Sequence, residues 1–489
     1  MLKYITAFLL LIAAASCKKF VELTPPDTSL EAEKVYQSDI SATSAVSAIL
    51  GELGSYGAFS QGFGGISIVC GLTSDELNTV SLQPPYQQIF TNTLLPDNTI
   101  TGDIWTRAYK HIYAANAIIE GATRSSALSD KARNQVLGEA YFLRAFMYFQ
   151  LMNLYGDLPL LTGTDYQQNL VASRQPVSKV LQQMADDLKQ AQSMLTASYA
   201  NNNNLTTTAR VRPNKWAAAA LLARVYLYQR DWQHAEEQAT AVISRSDTYV
   251  LDPNLNNVFK PSSPEAIWHL PPGVSNSAQN TYTGDGYSFS VAYLKSFGVG
   301  PQSFAFDLSN YLNNDLVALF EPGDKRRASW IDSLSEGGKK YYMPYKYKNG
   351  ADGGGTLEYL MVLRLAEQYL IRAEARLKQN NLTAARQDID ALRTRAGLNA
   401  TTAATQTQIM AAIEKERRLE LFLEWGQRWM DLKRWPGITN PGVSRAEEVM
   451  AVVTPQKGGV WNKNWLKFPI PVNEVRNGPN MAQNEGYTQ

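Results

Sequence analysis

The stretch Val136–Leu161 (VLGEAYFLRAFMYFQLMNLYGDLPLL) constrains the fold of this chain more than any other. Its apolar residues repeat at i, i+3, i+4 and i+7, the spacing of one helix face, in Phe142, Ala145, Phe146 and Phe149. A second apolar stripe runs beside the first, in Leu143, Met147, Leu151 and Leu154. Because a helix that is apolar on two faces is covered on both, the pattern predicts a helix inside a helical assembly, ending at Gly156.

Further segments carry helical periodicity and predict a series of helix pairs. They are Ile104–Gly121, Ser178–Leu195, Arg212–Val242 and Leu363–Ala396. The last two each hold two helical patterns around a short polar turn, with small residues at the seam. Such pairs resemble tetratricopeptide repeats. The predicted fold class is therefore mainly α, with tetratricopeptide-like helix pairs forming a scaffold.

The segment Ile409–Trp435 predicts one more strong helix, stopped by Pro436 and Gly437. Glu414 with Arg418, and Glu424 with Arg428, have the i, i+4 spacing of favourable ion pairs. An acid/base constellation is one interpretation of Glu416, Arg417, Glu420 and Arg428. An ion-pair network that holds the helix is the interpretation we favour.

Residues 251–356 lack a strong helical period. They hold 12 of the 32 glycines, 8 of the 22 prolines, two tryptophans and eight tyrosines, which predicts an ordered, loop-rich, functional lobe. We divide the body into three parts on this basis. They are a helical-repeat scaffold (about 104–245 and 357–435), an irregular lobe (about 54–100 and 246–356) and an extended C-terminal segment (436–489).

The N-terminus predicts export. Lys3 and the apolar run Ile5–Ala15 form a signal peptide, residues 1–16, because a membrane span needs about twenty apolar residues. Small residues directly before Cys17 resemble a bacterial lipoprotein processing site, so Cys17 is the predicted lipidated residue. Residues 17–35 then form a tether. The alternative is an ordinary secretory signal with a chance cysteine.

Several function classes find no support in the sequence. The 46 basic and 45 acidic residues leave no broad charge footprint for nucleic acid. Two cysteines cannot build a disulfide framework, and His111, His234 and His269 are too scattered for a metal cluster. The HExxH, GxSxG, Walker and paired CxxC motifs are absent. We therefore predict no catalytic residue, metal or cofactor.

Five blocks of the sequence carry a resemblance to a known family. They are Gly138–Leu161 (with EAYFLRAFMYF and LYGDLPLL), Pro213–Asp231, Leu363–Gly397, Glu416–Trp435 and Phe468–Tyr487 (with FPIPVNEV and QNEGY). Together with the N-terminus they resemble the SusD/RagB nutrient-binding lipoproteins of Gram-negative outer membranes. Glu485 departs from the family pattern, where proline is usual.

The resemblance implies a single SusD-like body, residues 36–489, whose irregular lobe faces the ligand. It also implies a non-catalytic, surface-exposed lipoprotein of the outer membrane. Family members capture an oligosaccharide, or in some cases a peptide, and hand it to a SusC-like TonB-dependent barrel transporter for uptake. An alternative is a periplasm-facing scaffold that binds a protein partner in the groove of its helical repeats. A third hypothesis is a hydrolase, because paired carboxylates need no fixed sequence spacing.

The resemblance carries no ligand-binding residue across, since ligand contacts in the family lie in variable loops. Sugar rings have apolar C–H faces and polar edges, so aromatic platforms with an apolar body and a polar tip suit them. The candidate platforms are Tyr86, Tyr282, Tyr287, Trp330, Tyr341 and Tyr342. Burial in the lobe is the alternative for each. The sequence Thr283–Gly286 (TGDG) predicts a turn, with calcium binding by Asp285 as the alternative.

Overall fold

In the computed structural model of the chain, the central helix runs from Asp130 to Tyr155, as its apolar pattern predicts. The Ser129 side chain accepts a hydrogen bond at the helix start, and Gly156, with φ of 81°, follows the last turn. Every residue from Gln135 to Tyr155 except Tyr141 is buried. The helix is therefore enclosed on all sides by other elements.

The structure describes residues 34–55, 60–275, 278–279, 281–305, 307–350 and 357–488. The signal peptide, Cys17 and nearly all of the predicted tether lie outside the described residues. The α-helices are α1 (Asp39–Leu53), α2 (Ile66–Thr73), α3 (Pro84–Phe90), α4 (Thr99–Arg124), α5 (Asp130–Tyr155), α6 (Tyr166–Leu170), α7 (Val177–Met194), α8 (Lys215–Gln229), α9 (Trp232–Ile243), α10 (Gly284–Ser288), α11 (Val291–Ser296), α12 (Asn314–Ala318), α13 (Lys325–Trp330), α14 (Leu365–Lys378), α15 (Leu382–Arg395), α16 (Gln406–Glu420), α17 (Gln427–Arg434), α18 (Arg445–Gln456) and α19 (Val472–Asn477).

The strands are short and pair only two by two in the part of the chain that the structure describes. They are β1 (Leu77–Thr79), β2 (Leu158–Pro159), β3 (Arg174–Gln175), β4 (Tyr199–Ala200), β5 (Thr206–Thr207), β6 (Ala266–Leu270), β7 (Val274–Ser275), β8 (Ala278–Gln279), β9 (Asn310–Leu312), β10 (Ile331–Glu336), β11 (Lys339–Pro344) and β12 (Leu360–Arg364). The antiparallel pairs are β1 with β9, β2 with β3, β4 with β5, β6 with β12, β7 with β8 and β10 with β11. The predicted fold class, mainly α, is confirmed.

Eight helices pack in series and form a helical array. Helix α4 packs on α5, α5 on α7, α7 on α8, α8 on α9, α9 on α14, and α14 on both α15 and α16. The α8–α9 and α14–α15 pairs turn at Arg230 and Asn380, which both have a left-handed φ of 62°. Ala217–Ala220 on α8 are fully buried, so small side chains line the seam. This is the paired-helix scaffold that the repeat pattern predicts.

The lobe joins the array through a buried strand pair. Strand β12 runs directly into α14 and pairs with β6 of the lobe, and all ten of their residues are buried. Farther out, β10 and β11 form a hairpin whose two-residue turn is Gly337 and Gly338, with φ of 59° and 75°. Two central residues with positive φ are typical of the tight turn that matches the twist of a hairpin.

The predicted continuous helix Ile409–Trp435 is wrong. Helix α16 ends at Glu420, the next six residues form an irregular turn, and α17 begins at Gln427. Neither predicted i, i+4 ion pair forms. Side chains from elsewhere terminate α16 instead: Lys346 Nζ donates to the carbonyls of Glu420 and Phe422 at 2.8 and 2.9 Å.

Two further segments differ from the prediction. Residues 54–100 were assigned to the irregular lobe, but Ile66–Thr73 within them is a helix with all eight residues buried. The C-terminal segment was expected to be irregular, but it contains α18. The side chains of Ser444 and Glu447 cap the start of α18 reciprocally.

A buried ion-pair cluster fastens the lobe to the array. Arg364 of β12 binds Glu420 at 2.5 Å and Glu424 at 2.7 Å, and Arg395 of α15 binds both Glu265 and Glu420 at 2.5 Å. The cluster also includes Asp324, Arg326, Lys346 and Glu416. Burial opposes ionisation of Glu420, but the three arginines around it hold its pKa well below the ordinary value. Of the four residues that the sequence analysis considered, Glu416 and Glu420 belong to this cluster. The other two lie outside it and form separate ion pairs, Arg417 with Asp431 at 2.5 Å and Arg428 with Asp75 at 2.9 Å.

Candidate functional site

The start of α10 is clamped to the loop that precedes α2. Gly284 N donates to Gln61 Oε1 at 2.7 Å, and Gly62 N donates to Asp285 Oδ1 at 3.2 Å. Burial raises the pKa of Asp285 to about 7, against hydrogen bonds from Gly62 and Ser67. The Asp285 carboxyl group is thus engaged by protein donors, and the predicted turn Thr283–Gly286 is the N-cap and first turn of helix α10.

Five aromatic side chains gather around α10 and α11 on the outside of the lobe. We call them the aromatic surface: Tyr282, Tyr287, Tyr293, Phe297 and Phe304. Ring centroids lie 5.5 Å apart for Tyr282 and Tyr287, 4.9 Å for Tyr293 and Phe297, and 6.4 Å for Tyr293 and Phe304. Phe297 is 65% exposed and the other four side chains are half-buried, so the rings have accessible area. Clustered, partly exposed aromatic rings of this kind are typical of recognition surfaces.

Charged groups border the aromatic surface. The pKa of Tyr287 is raised, first by burial and then by the neighbouring Asp307, Tyr282 and Tyr293. Asp307 also accepts a hydrogen bond from Ser288 Oγ at 3.1 Å. On the side of the hairpin, Lys295 Nζ of α11 binds Asp332 of β10 at 2.7 Å. The site therefore combines apolar ring faces with carboxylate, hydroxyl and ammonium groups at its edge.

Two of the predicted platforms, Tyr86 and Tyr341, are core residues, which corrects the prediction. Each is at most 1% exposed. Tyr86 Oη donates to the carbonyl of Phe63 at 2.8 Å, and Tyr341 Oη accepts from Gln302 Nε2 at 2.6 Å. Since neither ring has a face open to solvent, both pack the lobe rather than contact a ligand.

Trp330 is also a core residue. It is fully buried, and its indole Nε1 donates to the carbonyl of Leu255 at 3.1 Å. Its ring lies 4.9 Å from Lys346 Nζ and within 6 Å of the Arg364 and Arg395 guanidinium carbons. Trp330 therefore packs against the cations of the ion-pair cluster, which suits an aromatic face in a desolvated site.

Tyr342 is half-buried but lies apart from the aromatic surface. Successive strand residues point to opposite faces, so Tyr342 projects from the face of the hairpin opposite Tyr341 and Asp332. Two cations flank its ring, with Arg327 Cζ at 5.0 Å and Lys340 Nζ at 5.1 Å from the centroid. The structure thus brings Tyr282 and Tyr287 together and places Tyr342 elsewhere.

The sequence prediction missed Tyr293, Phe297 and Phe304. The signal was available, because Tyr293 and Phe297 lie at i and i+4, Tyr293 within the short helix α11 and Phe297 directly after it. Phe297 and Phe304 bracket a stretch with two glycines and a proline, where the chain turns back on itself.

Within the described residues, no group of three or more histidine, cysteine, aspartate or glutamate side chains is placed to hold a metal ion. Among the helices of the described residues, none combines the length and apolar character that crossing a membrane requires.

Solved structures share the fold of this chain. A SusD superfamily protein from Bacteroides vulgatus aligns with a TM-score of 0.76 at 20% identity, over 92% of this chain and 100% of that one. A laminarin-binding SusD-like protein aligns with a TM-score of 0.73 at 23% identity, over 92% of this chain and 100% of that one. The helical array with its loop-rich lobe is therefore the SusD-like fold.

Sequence comparison gives the family. The model of the SusD family matches residues 302–487, and a model described as starch-binding, associating with outer membrane, matches residues 68–227. The SusD-like protein P25 of Formosa agariphila is 26% identical over 98% of both chains. The chain belongs to the SusD/RagB family.

Proposed function

We propose that this protein captures an oligosaccharide at the outer membrane through its aromatic surface, without cleaving it. The observation that carries the proposal is the cluster of partly exposed rings on α10 and α11, bordered by Asp307 and the Lys295–Asp332 pair. Sugar C–H faces stack on such rings while hydroxyl groups bond to the charged edge. Support also comes from the starch-binding family model and from the laminarin-binding protein of the same fold.

The proposal includes a location and a partner. Lipid on Cys17 anchors the chain to the outer membrane at the cell surface, and a SusC-like TonB-dependent barrel transporter receives the captured glycan. This part rests on the family and on the N-terminal sequence. Replacing Cys17 with Ala should abolish incorporation of labelled fatty acid and release the protein from the membrane fraction. Retained label in the Cys17→Ala variant would contradict the anchor, and failure of any barrel transporter to co-purify in mild detergent would contradict the complex.

Glycan binding is tested with purified protein, a panel of soluble polysaccharides and isothermal titration calorimetry. Tyr282→Ala and Tyr287→Ala should each weaken binding about tenfold, the loss of about 1.4 kcal/mol of binding free energy. Tyr113→Ala is the matched control, because Tyr113 is 55% exposed on α4 of the array. Unchanged affinity in the first two variants would contradict the assignment of the surface.

Two other outcomes bear on the proposal itself. Binding of peptides but of no glycan would replace the oligosaccharide with a peptide as the ligand. Release of new reducing ends from a bound polysaccharide would contradict binding without cleavage, and would favour the hydrolase hypothesis.

A further inference from the structure

A second concave site lies on the helical array. A cavity of about 500 Å³ is lined by the last residues of α8, α14 and α17, the start of α9 and the loop after α17. Trp232 and Trp435 form part of its wall, together with Pro436, Pro441 and Val443. A volume of this size falls in the range of pockets that take small molecules.

Most polar side chains around the cavity are already committed. Arg434 donates to both carboxylate oxygens of Glu374, at 2.5 and 2.8 Å, and Trp435 Nε1 donates to the same carboxylate at 3.0 Å. Lys433 donates to the backbone carbonyl of Asn153. These side chains already have hydrogen-bond partners within the protein, so they have little hydrogen-bonding capacity left for a ligand.

Arg230 and Lys378 are different. Both line the cavity, and neither side chain has a hydrogen bond or an ion pair with any other residue that the structure describes. Arg230 is exposed at the left-handed turn between α8 and α9, and Lys378 is half-buried at the last position of α14. The uncommitted charged groups of this cavity are therefore both cations, which donate hydrogen bonds and accept none.

The partial negative charges at helix C-termini account for part of the positive charge at this cavity but not for all of it. Three helices end at the cavity and α9 begins there, so with about −0.5 charge at each C-terminus and about +0.5 at the N-terminus the helix termini carry about −1 charge together. The opposite charges of Arg434 and Glu374 cancel. The remaining charged side chains, Arg230, Lys378 and Lys433, bring about three positive charges, which exceeds the negative charge of the helix termini. The cavity is left electropositive.

We propose that this cavity binds a small molecule with an oxyanion group on a body of one or two sugar-sized rings. The oxyanion meets Arg230 and Lys378, and a flat face of the body lies against Trp232. The site goes beyond the glycan surface proposed above, because its residues belong to the array and those of the aromatic surface to the lobe.

The test is calorimetric titration of the full mature chain at low salt with five probes: glucuronate, glucose 6-sulfate, glucose 6-phosphate, neutral glucose and inorganic phosphate. At least one charged sugar should bind, and affinity should fall as salt rises. The double variant Arg230→Gln with Lys378→Gln should weaken that binding at least tenfold. Lys131→Gln is the control, since Lys131 is an exposed lysine at the opposite end of the array.

The charged sugar that binds best identifies the oxyanion as carboxylate, sulfate or phosphate. Equal affinity for neutral glucose, or equal affinity in the double variant, would overturn the proposal, as would binding of inorganic phosphate alone. Absence of binding by every charged sugar would overturn it as well. The variant Tyr287→Ala, which removes part of the aromatic surface, should leave this binding unchanged, so the two sites fail or hold independently.

Discussion

Arg364 illustrates how single side chains hold the two parts of this molecule together. It lies at the junction of β12 and α14, is 1% exposed, and donates to the carboxylates of Glu420 and Glu424 and to the backbone carbonyl of Glu420. Removing a partner from such a pair leaves the other charge buried and unpaired, and this is costly even where the intact pair adds little net stability.

Replacing Arg364 with Ala should therefore lower the free energy of unfolding by about 3 to 5 kcal/mol. The control is Lys189→Ala, which breaks an exposed pair with Asp186, where an effect below about 1 kcal/mol is expected. Urea unfolding followed by circular dichroism measures both variants. A loss below 1 kcal/mol for Arg364→Ala would show that the cluster does not hold the lobe to the array.

Asp285 gives the clamp between α10 and the neighbouring loop a pH dependence. Its pKa is raised to about 7 in the folded protein, mainly by burial, from an ordinary value of 3.8. Between these values the folded state keeps a proton that the unfolded chain has lost. The stability contributed by this group is therefore full below about pH 4 and is lost as the pH rises through 7.

The variant Asp285→Asn cannot ionise and keeps an oxygen that accepts from Gly62 N. From pH 5 to pH 8, wild-type protein should lose about 2 to 3 kcal/mol of stability relative to this variant. Urea unfolding at both pH values measures the difference, in which the other titrating groups cancel. A difference that is constant between pH 5 and pH 8 would mean that Asp285 is ionised throughout.

The amino-acid type alone does not show which of the predicted platforms are buried and which are accessible. Tyr341 and Tyr342 are neighbours in sequence, yet one is buried and the other is flanked by Arg327 and Lys340, because strand residues alternate between faces. Locating the hairpin turn at Gly337 and Gly338 would have predicted the alternation, but which face is covered depends on α11 and β9. The burial of Trp330 likewise depends on cations that come from three distant segments.

Elements with local signals were predictable from the sequence. The apolar pattern of α5 and the paired patterns of α8–α9 and α14–α15 gave helices whose seams are buried as expected. Helix α18 was missed although its start, Ser444 with Glu447 three residues later, matches the capping-box pattern. The break between α16 and α17 has a tertiary cause, since Lys346 and Arg364 take the carbonyl groups at the end of α16.

That break depends on Gly426, the residue before α17. Its φ of 72° favours glycine, and a Cβ atom there would lie 2.6 Å from Cys70 Sγ in the core. Gly426→Ala should therefore lower the free energy of unfolding for two reasons, strain in the left-handed backbone and overpacking of the core. Gly458 is the matched control, with φ of 85° and open space around its missing Cβ.

Gly458→Ala should lose about 1 to 2 kcal/mol of stability from backbone strain alone. Gly426→Ala should lose about 1 to 3 kcal/mol more, because core side chains must move. Thermal and urea unfolding of the two variants measure the difference. Equal losses would show that the contact with Cys70 relaxes freely.

At the scale of the whole molecule, the helical array and the lobe differ in how closely they follow from the sequence. The array consists of local helix pairs, so its architecture follows from sequence patterns. The aromatic surface depends on how α10, α11 and the segment after α11 fold over one another, and no periodic pattern describes that arrangement. The binding site of such a molecule is therefore harder to predict than its fold.

We propose that the lobe, through its aromatic surface, binds glycan. Hydrogen–deuterium exchange of the whole protein, with and without a saturating polysaccharide, tests it most directly. Peptides that span residues 281–305 should exchange more slowly in the complex, and peptides from α4–α9 should be unchanged. Slower exchange in α4–α9 with none in residues 281–305 would place the glycan on the array and contradict the claim.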